Sequence, residues 1–138
     1  MIKSIAGNVP PLYIEKLQEN LRAQKQVLDE TVDLHRLYPL DDTFHEMLYQ
    51  IANKEFIFES VKKIVANLDR LRYLVRFEVG FDMEVASYEE HCLLLNALIF
   101  GLSPEMDIDA FLRKHILRFE TNLQGLMEKY ESYFSKTL

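Results

Sequence analysis

The stretch Asp41-Asp42-Thr43-Phe44-His45, DDTFH at residues 41–45, decides how this chain is read. Asp41 and His45 stand four residues apart, so on a helix they share one face, one turn apart. Phe44, Leu48 and Ile51 fall on or beside that face. Such a helix turns an acid and a histidine toward its own core. Both then need a partner there, because a carboxylate taken out of water alone is expensive.

The helical period continues outward from this stretch in both directions. Upstream, Pro10-Pro11 marks a start, and Leu17, Leu21, Leu28 and Val32 recur at helical steps toward Pro39. The DDTFH helix fades near Asn53. A long helix from Glu55 carries Ile57, Val61, Ile64, Val65, Leu68, Leu71 and Val75, with Gly80 as its expected C-cap. The next runs from about Met83 to Phe100 with Val85, Tyr88, Cys92, Leu95, Leu98 and Ile99, and Gly101 ends it. Ser103 as N-cap and Pro104 at the first helical position open the last, with Ile108, Phe111, Leu112, Phe119, Leu123 and Tyr130. Five helices with short joins and no convincing strand predict an all-α bundle of antiparallel neighbours. Residues 1–10 are expected to be a tail or the remnant of an earlier helix, and residues 11–138 the single domain.

The totals narrow the function. A net charge of −6 without a basic cluster makes a poor nucleic-acid binder. The single cysteine, Cys92, forms no internal disulfide, so a reducing, cytoplasmic setting is expected. MIKSIAGNVPPLY lacks the apolar core of a signal peptide, and CLLLNALIFGL is too short to span a bilayer, so no membrane role is expected.

Of the four histidines, His35 lies among polar residues at a helix end and reads as solvated. His45, His91 and His115 each sit on the core-facing stripe of their own helix. A lone histidine in such a place is commonly a core residue bonded to a carbonyl or hydroxyl. Three of them with a buried acid suit a shared divalent cation equally well, which would remove the cost of the buried carboxylate. Both readings stay open on spacing alone. No Glu-x-x-His pair supports a di-iron site, no His-Glu-x-x-His or paired cysteines support zinc motifs, and no phosphate-binding glycine loop occurs. Cys92 reads as a small core hydrophobe.

Taken together, these segments resemble a known family. Asp41-x-x-Phe44-His45, then Leu48 and Ala52-Asn53, is similar to the D-x-x-F-H…L…A-x-N signature of the FCD domain. That domain is the effector-binding part of GntR-type transcription regulators of the FadR subfamily. Glu90-His91 with Asn96-Ala97-Leu98 resembles a second family helix, and His115 falls where the last helix carries its histidine. The resemblance covers roughly residues 12 to 135. It implies an antiparallel helical bundle around a central metal and ligand pocket. The implied ligands are Asp41, His45, His91 and His115, and the implied ion is zinc, nickel or manganese. The ion would grip a small organic acid, with two octahedral positions open after four protein ligands. Arg72, on the inner stripe of the long helix, is the candidate for a second hold on the carboxylate, and Asn96 for a hydrogen bond to it. A homodimer is implied as well.

The family's winged helix-turn-helix is not within residues 1–138, and most of its first helix is missing, with MIKSIAGN as a possible tail. Specific DNA binding is therefore expected only through that absent domain. The expected function is effector sensing, not catalysis. The alternatives are a metal-dependent hydrolase-like enzyme and a metal-free helical interaction module. The enzyme needs a general base near the ion, and Asp42 and Glu46 are expected to point away from the Asp41/His45 face.

Overall fold

The computed structural model describes residues 1–30, 33–79, 82–117, 127–129 and 131, without the side chains of residues 65, 67, 68 and 75–79. Its helices are α1 (Ile2–Ile5), α2 (Pro11–Asp29), α3 (Leu34–Ile51), α4 (Glu55–Val79), α5 (Asp82–Phe100) and α6 (Ile108–Ile116). No strand occurs among the described residues. The protein is all-α, as its periodicity predicts. The expected roles of Val32, Val65, Leu68, Val75, Gly80, Phe119, Leu123 and Tyr130 lie outside the description.

Helix α2 opens with Pro11 at its first position, where a missing N–H costs nothing. Its buried face is Leu17, Asn20, Leu21, Gln24 and Val27. This face packs against both α3 and α5, so α2 is the central rod, and α4 packs on α3. The main core joins Leu17 and Leu21 to Phe44, Leu48, Leu94 and Leu98. Fully buried side chains of this size contribute about 1.5–3 kcal/mol each. Ile2 and Ile5 of α1 enter the same core. Gly7 (φ 78) follows and donates its N–H to the Leu98 carbonyl at 2.9 Å, closing α1 onto the end of α5.

Three boundaries differ from expectation. The first long helix does not reach Pro39: it stops at Asp29, and Leu34 to Tyr38 already belong to α3. Asp33, in an extended conformation, accepts the His35 N–H at 2.9 Å and caps α3. Pro39 therefore lies inside α3. Its missing hydrogen bond is offset by a small second core of Val27, Leu34, Leu37 and Tyr38. At the other end, Ser103-Pro104 forms a turn and not a helix start; Asp107 caps α6 by accepting from Ala110 N–H at 3.1 Å. In α4 the inward side chain is Phe58, while Ile64 is exposed. Gly101 (φ 89) and Asn53 (φ 56) end α5 and α3 in left-handed conformations, close to where the sequence places those ends.

Candidate metal centre

Three separate helices bring the imidazoles to one place. Asp41 and His45 project from α3, His91 from α5 and His115 from α6. His91 Nε2 lies 3.2 Å from His45 Nε2, and His115 Nε2 lies 3.5 Å from His45 Nε2. Asp41 Oδ1 is 3.3 Å from His91 Nε2 and 3.8 Å from His45 Nε2. The three histidines each offer one nitrogen, all within 4.8 Å of one another. Ligand atoms about 2.1 Å from one cation stand roughly 3.0–3.5 Å apart, so this spacing suits a common centre.

The outer nitrogens show how the rings are oriented. Asn20 Nδ2 donates to the Leu40 carbonyl at 2.9 Å, and a carbonyl can only accept. Asn20 Oδ1 must then accept from Gln24 Nε2, at 2.7 Å. That leaves Gln24 Oε1 facing His91 Nδ1 at 3.0 Å. The Nδ1 of His91 therefore carries the proton, and its Nε2 lone pair faces the centre. His115 Nδ1 faces the Glu90 carboxylate at 3.3 Å, which imposes the same tautomer. Phe44, fully buried, stacks on the His91 ring with centroids 4.4 Å apart and holds its plane. The bare nitrogens of His91 and His115 thus both face His45, and Asp41 Oδ1 faces His91. Of the three rings only His45 has no bond at its second nitrogen among the described residues, so at most one ring proton can relieve that crowding. A divalent ion would relieve all of it, and neutral imidazoles with one carboxylate are donors that zinc, nickel or manganese accept.

The electrostatics agree. Burial holds His45 below the ordinary imidazole value and His91 well below it, so both are neutral near pH 7. Burial pushes the Asp41 carboxyl up, but the charges of His45 when protonated and of Arg72 outweigh it and bring Asp41 down to about 2. With the rings neutral, Arg72 is the standing cation. Its Nη2 is 3.4 Å from Asp41 Oδ2, its Nη1 is 3.1 Å from Asp69 Oδ1, and it lies over the Tyr38 ring.

Two cavities flank the cluster. A small one of about 30 Å³ touches Gln24, Tyr38, Asp41, Arg72, Ser87 and His115, room for a water or two. A larger one of about 390 Å³ opens between α3, α4 and α6, with Asp41, His45, His115 and Arg72 in its wall. Asp42 also lines it, contrary to the expectation that it points away. Adjacent residues on a helix differ by about 100°, and a cavity this wide spans both directions. Burial, with Asp41 and Asp69 close by, pushes Asp42 up to about 6. Arg72 thus sits beside the cluster, whereas Asn96 is exposed on α5 and lines neither cavity. Asn20, Gln24 and Glu90 were missed in the sequence. Asn20 and Gln24 could have been found, since they share the stripe of Leu17 and Leu21 by the spacing that picks out Asp41 and His45.

These observations define the class: a helical domain with a buried carboxylate–imidazole cluster on the wall of a ligand-sized cavity. The sequence profile of the FCD domain matches residues 1–101, and the chain belongs to that family. It is 27% identical over 124 residues to the HTH-type transcriptional repressor RspR of Escherichia coli (strain K12), covering 88% of this chain and 51% of the relative. The same figures hold for the uncharacterized HTH-type transcriptional regulator YdfH of Shigella flexneri. The chain spans about half the length of the curated relatives it matches. No solved structure matches it significantly. No helix among the described residues is long and apolar enough to cross a membrane.

Proposed function

We propose that this chain is the effector-sensing part of a transcription regulator of the GntR/FadR kind. Asp41, His45, His91 and His115 hold a divalent metal ion, and the ion together with Arg72 grips the carboxylate of a small organic acid. When bound, the ion would supply Lewis acidity beside the larger cavity, whose wall includes Asp41, His45 and His115. DNA binding belongs to a helix-turn-helix domain of the whole regulator, as the names of the relatives suggest. Acid binding shifts that domain's affinity for its site, most simply in a cytoplasmic homodimer. The observation that carries this reading is that one nitrogen each of His45, His91 and His115 lies within 4.8 Å of the others, with Asp41 Oδ1 3.3 Å from His91 Nε2.

Elemental analysis of untagged protein, purified without chelator and equilibrated with zinc, nickel or manganese, tests the reading. About one ion per chain is expected, lost in His91→Ala. Lactate or citrate should raise the melting temperature only when metal is present, because a ligand of the folded state stabilises it. Stabilisation that is equal without metal would overturn the shared grip.

One observation favours a second reading, a metal-dependent hydrolase. Asp42 lines the larger cavity and is raised to about 6, a value that suits a general base. The regulator reading is preferred because the relatives are regulators. Turnover of an activated ester that vanishes in Asp42→Asn would reverse that preference.

A further inference from the structure

The larger cavity exceeds what a three-carbon acid needs. Its volume, about 390 Å³, lies in the range of roughly 300–1,000 Å³ that takes drug-sized ligands. Charge is densest at one end, and the aromatic surface lies toward the other, where Lys62 Nζ stands over the Phe58 ring, 5.4 Å from its centroid. Asp41, Arg72 and Asp69 interact with one another at the metal end. Tyr49 and Phe58 mark the far end, their rings 5.3 Å apart. On α3 Tyr49 stands seven positions beyond Asp42 and four beyond His45, a rise of about 6–10 Å. Between the ends, α4 contributes Val61 and Ala66 to the wall, and α6 contributes Ile116. Ala66, the smallest lining side chain, lies between Phe58 and Asp69 along α4.

The charges of the wall also select. Asp41, Asp42 and Asp69 face Arg72 and Lys62. A divalent ion added to these five leaves at most one net positive charge among the lining groups, since Lys62 also pairs with Glu59 at 3.8 Å. That suits an acid with one carboxylate better than a di- or tricarboxylate.

Resting on the metal-and-acid reading above, we infer that the effector is a monocarboxylic acid with an apolar, ring-sized body. Its carboxylate sits at the ion and Arg72, and its body runs about 6–10 Å along α3 to stack against Tyr49 and Phe58. Apolar contact at that end, and not the head alone, selects the ligand.

Calorimetric titration of the metal-loaded chain with acetate, phenylacetate, 3-phenylpropanoate and citrate tests this, with metal content measured in parallel. Burying a phenyl ring predicts that 3-phenylpropanoate binds roughly 10- to 100-fold more tightly than acetate. It should also outbind citrate. Ala66→Leu places a branched side chain in the path of the ring and should remove most of that preference while metal stoichiometry stays at one. Val61→Phe should do the same if Ala66→Leu fails to fold. A flat series from acetate to 3-phenylpropanoate, or tightest binding by citrate, overturns the inference even where metal is bound. If the chain takes up no metal, the metal reading falls separately. A preference for the phenyl acids would then still support the cavity assignment, and a flat series would still overturn it.

Discussion

Replacing Gln24 by leucine tests the orientation of the metal ligands. Gln24 is 2% exposed and makes two side-chain hydrogen bonds, accepting from His91 Nδ1 at 3.0 Å and donating to Asn20 Oδ1 at 2.7 Å. Leucine has nearly the same bulk, so packing is kept while both bonds vanish. A buried polar group left without a partner costs about 1–3 kcal/mol, and two are stranded. One of them has an escape. His91 can carry its proton on Nε2 and donate to Asp41 Oδ1, 3.3 Å away. That limits the loss of stability to about 1–3 kcal/mol, but it removes the lone pair that would face the cation. Metal affinity should then fall by roughly 10- to 100-fold, the range carried by outer partners of ligating histidines. Competition against a chromophoric chelator reads the affinity, and denaturant unfolding of metal-free protein reads the stability. Gln24→Glu is the control. It keeps an acceptor at His91 Nδ1 but no longer donates to Asn20, so stability should fall while metal affinity holds or rises. A folded Gln24→Leu protein that binds metal as tightly as the unaltered chain would refute the relay from the Leu40 carbonyl to His91.

Arg72→Gln should weaken acid binding and leave metal stoichiometry at one. It should also destabilise the metal-free chain more than the metal-loaded one, because Asp41 then has only the ion as a cationic partner; equal melting shifts in the two forms would contradict this. Phe44→Ala, at a fully buried ring stacked on His91, should cost about 3–5 kcal/mol by urea unfolding. In the metal-free chain, His45 and His91 have folded pKa values below the ordinary 6.5, so the unfolded chain binds their protons first. Their contribution is full above about 6.5 and falls as pH drops from there toward the folded values, partly offset by Asp42, whose carboxyl is raised to about 6 and so favours the folded chain at the lower pH; urea midpoints at pH 7.5 and 5.5 that coincide would contradict this. Metal affinity of the folded chain should weaken only once pH falls to those lowered folded values, since ligating imidazoles must be neutral, and dialysis at stepwise lower pH followed by elemental analysis reads it.

Much of this molecule is legible in its residues, and the rest is hidden for physical reasons. Helix type and number along the main bundle follow from the period of Leu17, Leu21, Leu48, Leu95 and Leu98, because burial of one stripe is a local pattern. The Asp41–His45 pair is legible for the same reason. Where α2 ends is not, since the cap at Asp33 competes with a periodic pattern that continues through Leu34 and Leu37, and Pro39 reads as a stop until a second core outweighs it. The pairing of Glu90 with His115 joins residues 25 apart on different helices, and only packing decides it. The same holds for Arg72 and Asp41, 31 apart. The cavity is the least legible feature, because it depends on which side chains of α4 fail to fill the space, with Phe58 turned inward where the period points to Ile64.

X-ray absorption at the metal edge of the nickel- or zinc-loaded chain bears most directly on the claim that α3, α5 and α6 build one ion site. The spectrum should show three imidazole nitrogens and a carboxylate oxygen at about 2.0–2.2 Å, no sulfur from Cys92, and one imidazole fewer in His115→Ala. Fewer than three imidazoles in the unaltered chain, or an unchanged shell in that variant, would contradict it.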